Sequence, residues 1–194
     1  DDDWLLAEHV AHLVQALHAH PEAVAAHAGV ECRMVSSSKT LKVHAFDSDI
    51  TAAGMQLMNR LPIHASLFRV AAVRQMPALR FNESLECFED WDFWLQLMAR
   101  GRFVRVQGIS AVYRLDDEAG SGHAVAASAL RQRMLERFGA VQLKRWTPED
   151  VAGLIEHESA QAHAHQLTLE RADGLQIDLD LQFRRTKALL NDLD

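Results

Sequence analysis

The sequence lacks several features that would have assigned it to a well-defined class of protein. Only two of its 194 residues are cysteines, Cys32 and Cys87, which excludes the disulfide framework of a small secreted protein. No apolar run approaches the length of a membrane-spanning helix, and the first residues do not resemble a signal peptide. A P-loop, a dinucleotide-binding glycine motif and a nucleophile-elbow serine are also missing. We therefore expect a protein of a reducing compartment that uses none of these three motifs.

The chain has fewer basic than acidic side chains. The chain has 20 Lys and Arg against 27 Asp and Glu, which gives a formal net charge of -7 at pH 7. Because no basic run is present to neutralise phosphates, nucleic acid is not an expected partner. The content of 48% hydrophobic and 24% charged residues is ordinary for a globular protein. A chain of this length predicts one domain with a real core, plus an appendage.

Alternation of apolar and polar residues predicts the strands. Residues 30–35 and 41–46 flank a serine-rich turn and form a predicted hairpin. Residues 62–68 have the composition of a buried strand, and residues 103–106 and 110–114 predict two short strands broken at Gly108. Helices between these strands would make an α/β fold.

Helical spacing of apolar residues predicts a first helix, ended by Pro21, with one buried face made by Leu6, Val10, Leu13, Val14 and Leu17. Further helices are predicted at residues 50–59, where Asp49 would be the N-cap, and at residues 90–100. Residues 149–165 and 175–194 are polar helices with Gly174 between them, typical of a surface helical pair or a coiled-coil linker. We therefore divide the chain into a domain at 1–138 and a helical extension at 139–194.

The most unusual stretch is Cys-Phe-Glu-Asp-Trp-Asp-Phe-Trp-Leu at residues 87–95. It places Glu89, Asp90 and Asp92 among bulky aromatic residues at the predicted start of a helix. Acidic residues in a first turn interact favourably with the helix dipole and can cap free amides, which is a purely structural interpretation. Carboxylates beside apolar walls can instead have a tuned proton affinity and accept a proton from a substrate hydroxyl. The residues alone leave both interpretations open.

The acidic triplet Asp1-Asp2-Asp3 precedes Trp4 and the first predicted helix. Three neighbouring carboxylates repel one another, so they are stable in water as a solvated stub or around a hard cation such as magnesium or manganese. Most of the eleven histidines fit solvated helix surfaces. His64 lies in an apolar strand and needs a hydrogen-bond partner, and His123 follows a glycine-rich segment that could bring it to a cleft.

Taken in order, these motifs resemble a known family. An acidic triplet followed by Trp4 precedes Phe-Asn-Glu-Ser-Leu at 81–85 and Glu-Asp-Trp-Asp-Phe-Trp-Leu at 89–95. Gly101 and two strands ending in Tyr113-Arg114 come next. This series is similar to the C-terminal half of family 2 glycosyltransferases of the GT-A fold over residues 1–138. The remainder resembles the helical region that trails such domains in large bacterial glycan-building enzymes.

The resemblance implies a partial GT-A architecture, Rossmann-like, with a mixed sheet flanked by helices and a C-terminal helical extension. It implies an inverting transfer of a sugar from a nucleotide-diphosphate donor to a saccharide or other hydroxyl acceptor, in polysaccharide biosynthesis. By this resemblance the residues carry three roles: Asp90 with Glu89 as the general base, Asp2 with Asp1 and Asp3 as ligands of Mg²⁺ or Mn²⁺, and Trp91, Asp92, His64, Arg114 and His123 as substrate-binding residues.

Two departures from the family pattern limit these expectations. The first half of the family domain has no counterpart, so the chain is expected to be a fragment that binds donor weakly. The family often has a histidine after the Tyr-Arg strand, where this chain has Leu115-Asp116. The alternatives are a non-catalytic saccharide- or protein-binding module and a metal-dependent hydrolase. We also expect a cytoplasmic location at the inner face of the membrane, and self-association through the C-terminal helices.

Overall fold

A mixed sheet forms the centre of the protein. The structure is a computed structural model and describes residues 3–35, 40–75, 77–116 and 129–191. The strand order is β1-β5-β2-β3, and β4 pairs with the beginning of β2. The strands are β1 (Trp4–Leu5), β2 (Ala25–Val35), β3 (Thr40–Phe46), β4 (Ser66–Phe68) and β5 (Phe103–Asp116).

The two long strands, β2 and β5, run parallel along their whole length, whereas β1, β3 and β4 pair antiparallel to their neighbours. The described ranges contain six helices and a 3-10 turn at Ile63–Ala65. They are α1 (His9–Ala19), α2 (Ala52–Leu57), α3 (Val70–Arg74), α4 (Glu89–Met98), α5 (Ala129–Gln142) and α6 (Pro148–Asn191). The predicted α/β class, a mixed sheet flanked by helices, is confirmed.

Two apolar clusters explain why the sheet is covered by helices. One contains Leu13 and Leu17 of α1 with Ala26 and Ala28 of β2. The other is larger and is built around Trp94, which is almost fully buried and donates a hydrogen bond from Nε1 to the Leu61 carbonyl at 3.0 Å. Successive side chains of a strand point to opposite faces, so β2 contributes to both clusters.

The predicted hairpin is confirmed as the β2–β3 pair, although β2 begins earlier, at Ala25. Other expectations were wrong in detail. Val10 and Val14 of α1 are exposed, because only His9, Leu13 and Leu17 face the sheet. Helix α2 is capped by Thr51, whose hydroxyl accepts from the Gly54 amide at 3.1 Å, rather than by Asp49.

The two short strands predicted around Gly108 are one strand with a bulge. Ala28 pairs with Val106 and the next residue, Gly29, pairs with Ile109, so β5 accommodates extra residues at this point. Gly108 has a φ of 89°, a conformation that glycine adopts without steric cost. A bulge of this kind lets the strand bend while its pairing with β2 continues on both sides.

Gly29 lies opposite that bulge with no room for a side chain. A Cβ atom there would be 2.8 Å from the Gly108 carbonyl oxygen and 2.6 Å from Asp47 Oδ1. Asp47 cannot easily move away, because Arg105 holds Oδ1 at 2.6 Å. We expect Gly29→Ala to lower the free energy of unfolding by about 1–3 kcal/mol, the usual cost of overpacking.

Urea denaturation of the two variants Gly29→Ala and Gly139→Ala measures this effect against a matched control. Gly139 lies in α5, where an added Cβ meets nothing within 4 Å. Alanine is also the better helix former, so the control should be as stable as the wild type or slightly more stable. Equal stability of the two variants would contradict the packing described for the bulge.

The chain divides after Thr147 rather than after residue 138. The predicted boundary falls inside α5, whose Phe138 is buried in the larger cluster, so this helix belongs to the first unit. The second unit consists of α6, a helix of 44 residues that continues through Gly174. Within the described residues, no helix has both the length and the apolar character that crossing a membrane requires.

Candidate functional site

The N-terminus of α4 has an unusual backbone. Phe88, the residue before the helix, has a φ of 68°, in the left-handed region that bulky residues rarely adopt. Its ring packs edge-on against Trp91 and Phe138, with centroids 5.8 and 5.9 Å away. Packing therefore holds the strained residue in place, and strain of this kind is often found next to functional groups. The residues that follow immediately are Glu89, which is exposed, and Asp90, which is half-buried.

Both oxygens of Asp90 are oriented by hydrogen bonds. Oδ1 accepts from the Trp91 amide at 2.7 Å, and Oδ2 accepts from the side-chain amide of Asn59 at 3.1 Å. Burial raises the pKa of the Asp90 carboxyl above its ordinary value. The Trp91 amide and the Asn59 amide oppose that rise, whereas the charge of Glu89 adds to it. The result is a carboxylate of increased basicity in a fixed orientation.

Trp91 and Asp92 occupy positions that differ from their predicted substrate-contacting roles. Trp91 is only 7% exposed, donates from Nε1 to the Met55 carbonyl and stacks on Phe138 at 4.2 Å. Its ring is therefore already covered by protein. Asp92 has no exposed surface at all. Its contacts hold the protein together, which corrects the prediction of a sugar-stacking platform and a polar substrate contact.

Asp92 links α4 to Gln142, the last residue of α5, and to Arg145, which follows that helix. Oδ1 accepts from Gln142 Nε2 at 2.6 Å and from an Arg145 nitrogen at 2.5 Å, while Oδ2 accepts from Gln96 Nε2 at 2.8 Å. Three donors thus compensate one buried carboxylate, as buried charges require. Gln96 is one helical turn from Asp92, but Gln142 and Arg145 are 50 and 53 positions away, and no sequence pattern predicts contacts at that distance.

The second cluster of the predicted site surrounds Asp3. Its Oδ1 accepts from the Arg114 backbone amide at 2.9 Å, close to the C-terminal end of β5. Its Oδ2 lies 3.2 Å from His64 Nδ1. The ring of His64 stacks on Tyr113, with centroids 5.9 Å apart. Asp3, His64 and Arg114, which are far apart in the chain, are therefore brought together.

His64 is largely enclosed, with 15% of its side chain exposed. Burial lowers the pKa of His64, although the nearby Asp3 carboxylate acts in the opposite direction. Both ring nitrogens are buried, and neither has a hydrogen-bond partner within the described part of the chain. Nδ1 is the nitrogen that lies beside the Asp3 carboxylate. An unprotonated imidazole nitrogen can act as a metal ligand.

One short connector links the two carboxylates. Asn59 at its beginning holds Asp90, and His64 at its end touches Asp3. These residues are five positions apart, so their Cα atoms are separated by at most roughly 18 Å even in an extended chain. The 3-10 turn at Ile63–Ala65 shortens this span. Asp3 and Asp90 are thus held at the two ends of one segment.

The described residues supply only part of a metal site. Asp3 offers a carboxylate oxygen and His64 an imidazole nitrogen, both of which suit Mn²⁺. Across residues 3–35, 40–75, 77–116 and 129–191, no group of three or more His, Cys, Asp or Glu side chains could hold a metal ion. The other predicted ligands, Asp1 and Asp2, lie outside the described residues, as does the predicted substrate-binding His123.

Asn59 is a neighbour of the site that the sequence does not predict. The sequence pattern predicts it only as the last residue of a helix. The helix ends earlier, at Leu57, and Asn59 is free to bond across to α4. An Asn near a helix end followed by Pro62 indicates a turn, but nothing in that pattern indicates a partner at position 90.

Comparison with known proteins adds no family assignment. No family model and no curated protein matches this chain.

Proposed function

We propose that this chain carries the acceptor side and the metal side of an inverting glycosyltransferase similar to family 2 enzymes of the GT-A fold. The observation that carries the proposal is the connector from Asn59 to His64, which holds Asp90 at one end and Asp3 at the other. That separation is suited to a sugar-nucleotide, whose diphosphate and reacting sugar need different groups in one pocket. The motif order in the sequence supports the same reaction.

In the proposed reaction, Asp90 is the general base. Its carboxylate takes the proton of the acceptor hydroxyl while the hydroxyl oxygen bonds to the anomeric carbon of the donor. The bond from that carbon to the diphosphate oxygen breaks, and the nucleoside diphosphate leaves from the opposite face, which inverts the configuration. Burial raises the pKa of Asp90, which makes the carboxylate a stronger base. Its two hydrogen bonds keep it directed at a single position.

In this proposal, Asp3 and His64, together with Asp1 and Asp2, bind the diphosphate end of the donor. These residues would hold a divalent cation, Mg²⁺ or Mn²⁺, which neutralises charge on the leaving diphosphate when bound. Asp3 is fixed by the Arg114 amide, so its remaining oxygen has a defined direction. The proposal includes a cytoplasmic location, because the thiols of Cys32 and Cys87 are unpaired and suit a reducing compartment.

Release of nucleoside diphosphate from a panel of nucleotide-sugars tests the proposal. The full-length protein is incubated with each donor, a mixture of saccharide acceptors and Mn²⁺, and the products are analysed for a new glycosidic bond. We expect one donor to be consumed in a metal-dependent and acceptor-dependent manner. Consumption that yields only free sugar would indicate a hydrolase, and no consumption of any donor would refute the transferase.

Asp3→Asn should raise the Mn²⁺ concentration needed for half-maximal transfer by about 10- to 100-fold, because a neutral amide is a weaker ligand than a carboxylate. The change keeps the side-chain oxygen that accepts from the Arg114 amide, so folding should be unaffected. Asp49→Asn is the matched control, since Asp49 is 80% exposed. An unchanged metal requirement in Asp3→Asn would remove this residue from the metal side.

A further inference from the structure

We infer that Asn59 is a positioning residue for Asp90, an inference that rests on the proposed function. Asn59 lies in the connector between α2 and the 3-10 turn, and its side chain bridges two partners. Nδ2 donates to Asp90 Oδ2 at 3.1 Å, and Oδ1 accepts from the Leu61 amide at 3.1 Å. Both ends of the Asn59 amide are therefore engaged in hydrogen bonds.

The second of these bonds fixes the orientation of the first. A backbone N–H can only donate, so the atom of Asn59 that faces Leu61 must be the oxygen. The NH₂ group consequently faces Asp90. A donor in this position stabilises the charged carboxylate and opposes the effect of burial. Asn59 thus does two things: it directs Oδ2, and it favours the charged form of the half-buried Asp90 carboxyl.

The groups that favour the charged form of Asp90 are the Asn59 side chain and two backbone amides, those of Trp91 and of Asp90 itself. The charge that acts on Asp90 from its own helix is Glu89, which favours protonation. The Cys87 thiol lies just before the helix, and burial raises its pKa, so it remains neutral at neutral pH. The Trp91 amide donates to the other oxygen and belongs to α4 itself. Asn59 is the side chain from outside α4 that donates to Asp90 in the described part of the chain.

Two substitutions separate the contact to Asp90 from a merely structural role. Asn59→Asp keeps an oxygen for the Leu61 amide but replaces the donor with a negative oxygen facing Asp90. Asn59→Ala removes both contacts. If Asn59 served only the turn, Asn59→Asp would behave like the wild type. If it positions Asp90, both substitutions should alter catalysis, and Asn59→Asp should do so more strongly, because two like charges then share a small volume.

We expect kcat for sugar transfer to fall about 10-fold in Asn59→Ala and about 100-fold in Asn59→Asp, with KM changed less than about twofold, as for a displaced catalytic group. The acid limb of the pH–rate profile should move to higher pH in both variants. The sign follows from the lost donor: without it the pKa of Asp90 rises, and the basic form is lost at a higher pH as the solution is acidified.

Asn82→Asp provides a matched control. Asn82 Oδ1 accepts from the Ser84 amide at 3.1 Å, the same bond to a residue two positions later, but its other partner is the Ser84 hydroxyl, at 2.7 Å, rather than Asp90. The same change of charge at Asn82 should leave kcat, KM and the pH profile unchanged. A shift of the profile in this control equal to that of Asn59→Asp would attribute the effect to overall charge and overturn the inference.

Titration of the Asp90 carboxyl by carbon-13 NMR in the full-length protein, assigned with Asp90→Asn, makes the test independent of turnover. We expect the carboxyl to titrate at higher pH in Asn59→Ala than in the wild type, and higher still in Asn59→Asp. An unchanged titration would overturn the positioning role. If the titration shifts as expected but no form of the protein transfers sugar, the contact stands and the glycosyltransferase proposal fails.

Discussion

Asp90→Asn should reduce kcat for sugar transfer by about 10²- to 10⁴-fold, the usual contribution of a general base. The amide has nearly the same shape but cannot take a proton from the acceptor hydroxyl. Its single oxygen can still accept from Asn59 or from the Trp91 amide, so one of the two hydrogen bonds is retained. The initial rate of transfer in the full-length protein measures the effect.

The same substitution should leave the protein as stable as the wild type, or more stable, at neutral pH. Burial raises the folded-state pKa of Asp90. A group with a raised folded pKa stabilises the protein fully below its unfolded pKa, and this contribution is lost as the pH rises through the folded value. At pH 7 the ionised carboxylate is therefore a cost that asparagine removes. A loss of activity without a loss of stability separates a functional carboxylate from a helix cap.

Glu86→Gln is the control for the loss of one negative charge near α4. Glu86 is 66% exposed and pairs with Arg137 at the surface, where ion pairs contribute little. We expect its transfer rate and melting temperature to match the wild type. Full turnover by Asp90→Asn would eliminate the proposed base. A melting temperature lowered as far as in a core variant would favour the structural interpretation of the acidic first turn.

Asp92→Ala should have the largest effect on stability. We expect the free energy of unfolding to fall by about 2–4 kcal/mol, because a fully buried carboxylate with three protein donors would be lost. Gln142 is itself buried, so its amide would be left without this acceptor. Arg145 is 41% exposed and can be hydrated, which limits the loss. The melting temperature should fall by roughly 5–15 °C.

Thermal unfolding followed by circular dichroism tests this prediction. Asp92→Asn keeps an acceptor oxygen and should lose less stability than Asp92→Ala, whereas Asp49→Ala at an exposed position should change little. A melting temperature of Asp92→Ala within about one degree of the wild type would mean that the contacts to Gln96, Gln142 and Arg145 contribute no net stability. The structural role given to Asp92, in contrast to the catalytic role proposed for Asp90, would then be wrong.

The sequence pattern was informative wherever one residue type dictates a local conformation. Alternation predicted the β2–β3 pair, and acidic residues predicted the start of α4, which begins at Glu89. Gly108 was recognised as an irregular position, but a bulge and a break in a strand have the same local composition. Only the partner strand β2, which remains paired on both sides, distinguishes the two.

Burial could not be predicted so well, because it depends on which elements pack together. Helical spacing grouped Val10 and Val14 with Leu13 in one apolar face, yet α1 turns only one edge of that face to the sheet. Asp92 is a similar case. An acidic residue in a first turn is expected to be solvated, and its burial depends on Gln142 and Arg145, fifty or more positions away.

The candidate site was predictable as residue types but not as an arrangement. The pattern selected Asp90, Asp3 and His64 separately, and the structure brings Asp3 to His64. Asn59 was missed because one asparagine carries no pattern until its partner is known. Trp91 was predicted to stack on a sugar ring, because a tryptophan can serve either as a sugar-binding surface or as a core residue. Its stacking on Phe138 shows that it is a core residue.

The central claim is that Asp90 and the Asp3 cluster face one pocket from the two ends of the connector that joins Asn59 to His64. Paramagnetic broadening by Mn²⁺ in the presence of nucleoside diphosphate, measured on the amide signals of the full-length protein with Mg²⁺ as the diamagnetic reference, tests it most directly. The account predicts that residues 59–64 and 89–91 broaden together, and that Asp3→Asn raises the Mn²⁺ concentration needed for both effects. Broadening of residues 59–64 without residues 89–91, or broadening at the same Mn²⁺ concentration in Asp3→Asn as in the wild type, would contradict it.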